Sequence, residues 1–174
     1  MSSTLGDDIT DLILRQHEDF RRRFVGLWDL RPEGDVKALG SSWRELADLL
    51  EVHASAEEAI LYPVLLKKGG DEAPDETLDA IGDHNEIRDA VREAAKHVPS
   101  SSPWWDAVLE CRKANDEHLA EEERDVIPDF REHSDPKLRH SLGKAWLEFE
   151  AAHAGARDIS GDDVDPDSYV KENS

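Results

Sequence analysis

Apolar residues recur at intervals of three and four along most of the chain, which is the spacing that gathers side chains on one face of an α-helix. Breaks rich in Gly, Pro, Ser and Asp separate five such segments. The segments lie at about residues 8–28, 35–67, 74–97, 103–132 and 136–157. No segment shows the sustained alternation of a strand. The pattern therefore predicts an all-α fold.

The second segment keeps the helical rhythm without a fault, yet two of its inward positions are polar. Its repeating positions are Trp43, Leu46, Leu50, His53, Glu57, Ile60 and Val64. The same pairing recurs at His118 and Glu122 in the fourth segment. Residues four apart on a helix share a face one turn apart, so each pair can direct an imidazole and a carboxylate to one point. A helix chelates a metal in this way.

Two single histidines complete a repeated order. His17 and His84 are each followed by an acid two residues on, then an apolar residue and an arginine. His17 lies 36 residues before His53, and His84 lies 34 residues before His118. These spacings fit two helical hairpins, each with a lone histidine and a chelating pair at similar depth. We expect four imidazoles and two carboxylates to meet in the core of a bundle.

Such a polar cluster requires compensation, because burying an unpaired carboxylate costs on the order of several kcal/mol. Imidazoles and carboxylates suit iron, zinc and manganese, and six ligands without a thiolate exceed what one tetrahedral zinc ion takes. We therefore expect two metal ions. If Glu57 and Glu122 both bridge the ions, an oxo or hydroxo bridge gives each ion five ligands. One position then stays open for dioxygen or peroxide.

The composition of the chain limits the classes of partner and the cellular compartment that we expect. The 174 residues carry a formal net charge of −20, which argues against nucleic acid or an anionic membrane surface as a partner. The single cysteine, Cys111, excludes an internal disulfide framework and fits a reducing compartment. Residues 1–8 lack the basic start and apolar core of a signal peptide, and no apolar run could span a bilayer. We expect a cytoplasmic protein.

The length corresponds to one domain of ordinary size. We assign residues 1–157 to the helical bundle, with a core at about 8–132 and an additional helix at about 136–157 packed on the outside. Residues 158–174 are acidic and almost free of large apolar groups, which predicts a disordered tail. The oligomeric state stays open.

The residue pattern resembles the hemerythrin-like family, also called the HHE cation-binding domain, over roughly residues 8–130. The matching positions are His17, His53, Glu57, His84, His118 and Glu122, together with the Glu-Glu-x-x-x-x-Pro continuation of both pairs. The resemblance implies an antiparallel up-down-up-down four-helix bundle around a non-haem di-iron centre, so we expect two iron ions, with zinc or manganese less favoured. In that reading the four histidines are terminal ligands and the two glutamates are bridges.

One position departs from the oxygen-carrying hemerythrins. Those proteins have a second histidine four residues after the first on the third helix, where this chain has Arg88. Both irons would then be coordinatively unsaturated, which favours reaction with hydrogen peroxide or nitric oxide over reversible oxygen carriage. Two functions remain open: catalase-like removal of peroxide, and a non-catalytic module that binds or senses dioxygen, nitric oxide or iron.

Several acidic residues near the pairs are alternatives. On an ideal helix Glu58 and Glu123 lie well away from the histidine face, and we expect solvated charges. Glu58 could replace Glu57 if the helix unwinds locally, and Glu121 is the closest rival of Glu122. The prolines that follow the pairs, Pro63 and Pro128, are expected to end or bend their helices.

Three further residues have weaker cases. Asn115 shares the face of His118 and could hydrogen-bond a ligand or a bound oxygen species, although a backbone-bonded Asn is equally compatible. His153, on the additional helix, is expected to lie outside a site that is already filled. Cys111 is expected to be a small buried hydrophobic residue, too far along its helix to act as a ligand.

Overall fold

The computed structural model describes residues 7–174, and within this range the chain is helical without any strand. The helices are α1 Ile9–Asp29, α2 Val36–Ala56, α3 Tyr62–Lys68, α4 Ala73–Ala94, α5 Ser102–Glu121, α6 Ile127–His133, α7 Pro136–Ala152 and α8 Pro166–Asn173. The predicted all-α class is confirmed. Residues 1–6, which belong to the N-terminal stretch expected to lack the features of a signal peptide, lie outside the described residues.

Aspartate and serine side chains begin several of the helices. Asp8, Asp35 and Asp135 each accept a hydrogen bond from a backbone amide in the first turn, which satisfies a donor that the helix leaves free. At α5 the cap is Ser101, whose side chain accepts from the amide of Trp104. Ser102 is the first helical residue of α5.

Two π-helical segments, Glu57–Leu61 and Glu122–Val126, join α2 to α3 and α5 to α6. Pro63 and Pro128 follow them and have no amide to donate to the carbonyl four residues back. The preceding amides instead bond five residues back, from Tyr62 to Glu57 and from Ile127 to Glu122. The prolines therefore do not end the helices, because the chain widens locally and continues. Each π-helical segment that accommodates a proline therefore begins at the glutamate of a chelating pair.

Four helices surround the core: α4 packs along α5, α1 packs on α2, and α2–α4 and α1–α5 contacts connect these two pairs. The additional helix α7 lies against α1 and α2. It ends at Ala152, earlier than the predicted 157, and Gly155 beyond it has the left-handed φ of 67°.

A polar layer divides the apolar core into two clusters. On α1, Ile13 belongs to one cluster and Phe20 to the other, with His17 between them. The same order holds on α4, where His84 separates Ile81 from Ile87. Because each histidine interrupts a buried apolar stripe at the same depth, the four helices bring their polar residues to one level.

The disordered tail predicted at 158–174 is corrected by the structure, which places α8 there and packs this segment on α4. Asn85 donates to the Val164 carbonyl at 2.7 Å and accepts from the Val164 amide at 3.0 Å. Tyr169 packs against one apolar cluster, and its hydroxyl donates to the Glu58 carbonyl. The few apolar side chains of this segment are enough to hold it in place, because they pack against the surface of helices that are already formed. None of the helices in residues 7–174 has the length and apolar character that crossing a bilayer requires.

Candidate metal centre

The six residues singled out from the sequence lie together in the polar layer, and none of them is more than 4% exposed. They are His17, His53, Glu57, His84, His118 and Glu122. Their potential ligand atoms form two groups in which all atoms lie within 4.8 Å of one another. The first contains His17, His53, Glu57 and Glu122, and the second contains Glu57, His84 and His118.

Both carboxylates lie between histidines of the two groups. Glu57 Oε1 is 3.0 Å from His53 Nε2, and its Oε2 is 3.1 Å from His84 Nε2. Glu122 Oε2 is 3.3 Å from His17 Nε2 and 3.6 Å from His118 Nε2. Each glutamate therefore faces one histidine of the first group and one of the second.

Each imidazole turns Nε2 toward the carboxylates and Nδ1 toward a separate acceptor. The Nδ1 partners are Glu123 Oε1 for His17 (2.9 Å), Gln16 Oε1 for His53 (2.6 Å), Glu58 Oε1 for His84 (2.9 Å) and Asp83 Oδ2 for His118 (3.4 Å). An acceptor at Nδ1 favours the tautomer that carries its proton there, which leaves the Nε2 lone pair free. This is the arrangement that a metal-binding histidine requires.

Several buried atoms in the cluster have no hydrogen-bond partner: His17 Nε2, His53 Nε2, Glu57 Oε1 and Glu122 Oε2. A buried polar atom without a partner costs about 1–3 kcal/mol, and more if charged. Unpartnered donor atoms that face one another can all be satisfied by a cation between them. The residues present thus fit a metal.

A family model, described as the hemerythrin HHE cation-binding domain, matches residues 8–130. The chain belongs to this family. Comparisons with curated proteins and with solved structures gave no match. The HHE assignment agrees with the family resemblance recognised in the sequence, and together with the His and Glu groups it supports a metal-binding module.

Charge coupling within this HHE domain shifts several pKa values. Burial alone would lower the pKa of His84, but hydrogen bonds to Glu57 and Glu58 outweigh it and raise that pKa. The pKa of His118 is raised well above its usual value, because the charges of Glu122 and Glu57 and the bond to Asp83 overcome burial. For His53 burial dominates and lowers the pKa. Burial would raise the pKa of Glu57, but the surrounding imidazoles hold it well below the usual value.

Tyr62 contacts both carboxylates of the site, although its helical position in the sequence did not indicate this role. Its fully buried hydroxyl donates to Glu122 Oε1 at 2.7 Å and lies 3.4 Å from Glu57 Oε2. Burial, followed by the negative charges of Glu122 and Glu57, raises the Tyr62 pKa well above its usual range. The signal in the sequence was the spacing of five from Glu57. On an ideal α-helix that spacing points elsewhere, whereas a π-helical turn aligns residues five apart.

Glu58 is largely buried and Glu123 is partly exposed, and both carboxylates pair with groups of neighbouring helices, which corrects the expectation of free solvated charges. Glu58 accepts from His84 Nδ1 and pairs with Arg88, and Glu123 contacts His17 Nδ1 and accepts from Arg21. Their partners lie on neighbouring helices, so the angle around their own helix could not reveal them. Neither belongs to the groups of potential metal ligands in the described range.

The remaining candidates lie around the cluster. Glu121 is exposed and outside both groups. His153 stacks on Phe149 and contacts the Arg157 carbonyl through Nδ1, away from the cluster. Cys111 is fully buried and outside both groups. Asn115 is 1% exposed, and its Nδ2 has no hydrogen-bond partner.

The additional helix also supports the site. Gln16 donates its amide to Glu150 of α7, which leaves the Gln16 Oε1 to accept from His53 Nδ1. Trp146 of α7 packs edge-on against the His53 ring, with 5.5 Å between centroids. The additional helix therefore helps to fix the orientation of a ring in the polar layer.

Proposed function

We propose that this protein is a non-haem di-iron protein, held in an antiparallel up-down-up-down four-helix bundle, that binds or reacts with small oxygen species or nitric oxide. One observation carries the proposal: buried, unpartnered Nε2 and carboxylate oxygen atoms converge in a layer where every Nδ1 already has an acceptor nearby. Such an arrangement is costly for a metal-free core and suited to cations.

The ligand assignment follows from the two groups. His17 and His53 would hold one ion, and His84 and His118 the other. Glu57 and Glu122, which each face histidines of both groups, would be shared by the two ions. A set of four imidazoles and two carboxylates suits iron better than a single tetrahedral zinc site.

Bound iron would supply redox chemistry and an open position for a small ligand. The chain itself supplies the surroundings. Tyr62 holds one oxygen of Glu122, and Asn115 offers an amide donor on the face of α5 that carries His118. Phe20 packs edge-on against the His53 ring at 5.0 Å between centroids, which restricts water on that side.

The favoured activity is removal of hydrogen peroxide, in which one peroxide is oxidised to dioxygen while another is reduced to water. Arg88 favours peroxide removal over reversible oxygen carriage, because it stands where the oxygen-carrying hemerythrins have a further histidine. It pairs with Glu51 and Glu58 and cannot be a fifth imidazole. The second candidate is a module that binds dioxygen, nitric oxide or iron without turnover. It is supported by the tight apolar packing around the layer, which would protect a bound ligand.

Iron analysis and a peroxide assay test these alternatives in order. Protein produced in iron-replete cells should contain about two irons per chain and show a charge-transfer band in the near ultraviolet. The variant His53→Ala should lose iron, whereas the surface variant His97→Ala should keep it. Zinc alone, or one metal per chain, would refute the di-iron assignment.

Oxygen evolution then separates enzyme from binding module. Many molecules of dioxygen per di-iron chain after addition of peroxide support catalysis. A single stoichiometric spectral change without oxygen release supports the binding module.

A further inference from the structure

A groove between α4 on one side and α5 with the π-helical segment Glu122–Val126 on the other reaches the polar layer from the surface. It has a volume of about 360 Å³. Its walls include His118 and Glu122, two of the six clustered residues. The groove is therefore an opening through which solvent can approach the buried cluster.

The rim of the groove is strongly acidic. It carries Glu72, Asp75, Glu76, Asp79, Glu121 and Asp125. Among the described residues that line it, Arg124 is the one arginine or lysine, and this guanidinium already pairs with Asp125 at 2.7 Å. A concave surface with one sign of charge concentrates counter-ions in its interior.

Observations at the inner end of the groove point to a cation. Glu122 is 1% exposed, and its Oε2 has no hydrogen-bond partner. Asp83, which also lines the groove, lies 3.4 Å from His118 Nδ1 and so joins the rim to the cluster. Glu76, which also lines the groove, has a further buried oxygen without a hydrogen-bond partner, Oε2. The carboxylates that line the groove thus include both exposed ones at the rim and the buried Glu122 of the cluster.

The crowding of these carboxylates is itself unfavourable. Burial and the nearby charges of Asp129 and Asp125 raise the pKa of Glu76. A divalent cation in the groove would relieve that repulsion, whereas an anion would increase it.

We propose that this groove is a cation entry site, in which hydrated divalent metal ions such as Fe²⁺ are collected by the rim carboxylates and passed to the cluster through Glu122 and His118. The proposal rests on the proposed function, because it assumes that the cluster binds metal. Beyond that function, the proposal specifies the route by which metal enters and its selectivity for charge. Hydrated cations enter through the groove, whereas its carboxylates repel anionic chelates of iron.

The test measures the rate of metal loading. Fe²⁺ is mixed anaerobically with metal-free full-length protein, and binding is followed by quenching of tryptophan fluorescence at low ionic strength. The variant Asp75→Asn/Asp79→Asn neutralises two exposed rim carboxylates. The matched control, Glu86→Gln/Glu110→Gln, removes the same charge from exposed positions of α4 and α5 outside this groove.

We expect the rim variant to load about fivefold to tenfold more slowly than wild type at low salt, with the same final iron content. The difference should vanish near 0.5 M salt, where screening acts within about 4 Å. The control should load within about twofold of wild type, because its charges lie away from the route.

Equal loading rates for the rim variant and wild type at low salt would overturn the entry site while leaving the di-iron proposal intact. Equal slowing in rim variant and control would also overturn it, since net charge alone would then explain the effect. If wild-type protein binds no iron at all, both proposals fail. The final iron content of wild type therefore separates the two.

Discussion

Replacing Tyr62 by phenylalanine removes one hydroxyl from the most enclosed part of the site. The ring keeps its packing, but Glu122 Oε1 loses the donor at 2.7 Å. A hydrogen bond to a charged group contributes about 1.5–3 kcal/mol, and neither residue has the solvent exposure that would let water replace the donor. We therefore expect Tyr62→Phe to lower the free energy of unfolding of the metal-free protein by about 2 kcal/mol.

Urea or thermal unfolding in the presence of a chelator measures this loss. For a chain of this size, about 2 kcal/mol corresponds to a fall in Tm of roughly 4–8 °C. The chain offers a matched control in Tyr169→Phe, because Tyr169 donates to a neutral backbone carbonyl and is less buried. That variant should lose only about 0.5–1.5 kcal/mol. A Tyr62→Phe loss no larger than that of Tyr169→Phe would refute the charge-assisted role of the hydroxyl.

Three further outcomes follow from the site. Glu58→Ala removes the Nδ1 acceptor of His84 and should weaken iron binding about 10-fold to 100-fold by equilibrium competition with a chelator; unchanged affinity would contradict this role. The raised pKa values of His84 and His118 stabilise the metal-free protein fully below the unfolded value of about 6.5, and this contribution is lost as pH rises through the folded values. Iron competes with the same protons, so its apparent affinity should rise with pH between about 6 and 8, and a flat titration would disagree. Burial raises the pKa of Cys111 to about 12, so the native protein should resist alkylation at pH 8 and react only when unfolded.

The positions of the clustered residues were predictable because their signal is local. A spacing of four within one helix places His53 and Glu57 on the same face whatever the rest of the chain does. His17 and His84 could be found because each interrupts an apolar stripe of its own helix. The family assignment and the all-α class rest on the same local signals and are confirmed. The identity of the metal, the number of ions and the role of each ligand stay predictions.

The partners of these residues were not predictable, because they come from other helices or from a departure from ideal geometry. Gln16 reaches His53, and Glu58 reaches His84, only once the helices are packed. Tyr62 reaches Glu122 because the π-helical turn before Pro63 rotates the Tyr62 side chain onto the face of the helix that carries Glu57.

The amino-acid order by itself determined which faces are apolar and where His and Glu interrupt them, since helical periodicity is a property of consecutive residues. Tertiary structure alone decided which nitrogen of each imidazole faces the two carboxylates, which glutamates face the layer and which support its histidines, and that residues 166–173 form a helix packed on α4. These outcomes depend on distances between groups remote in the chain, and such distances exist only after packing.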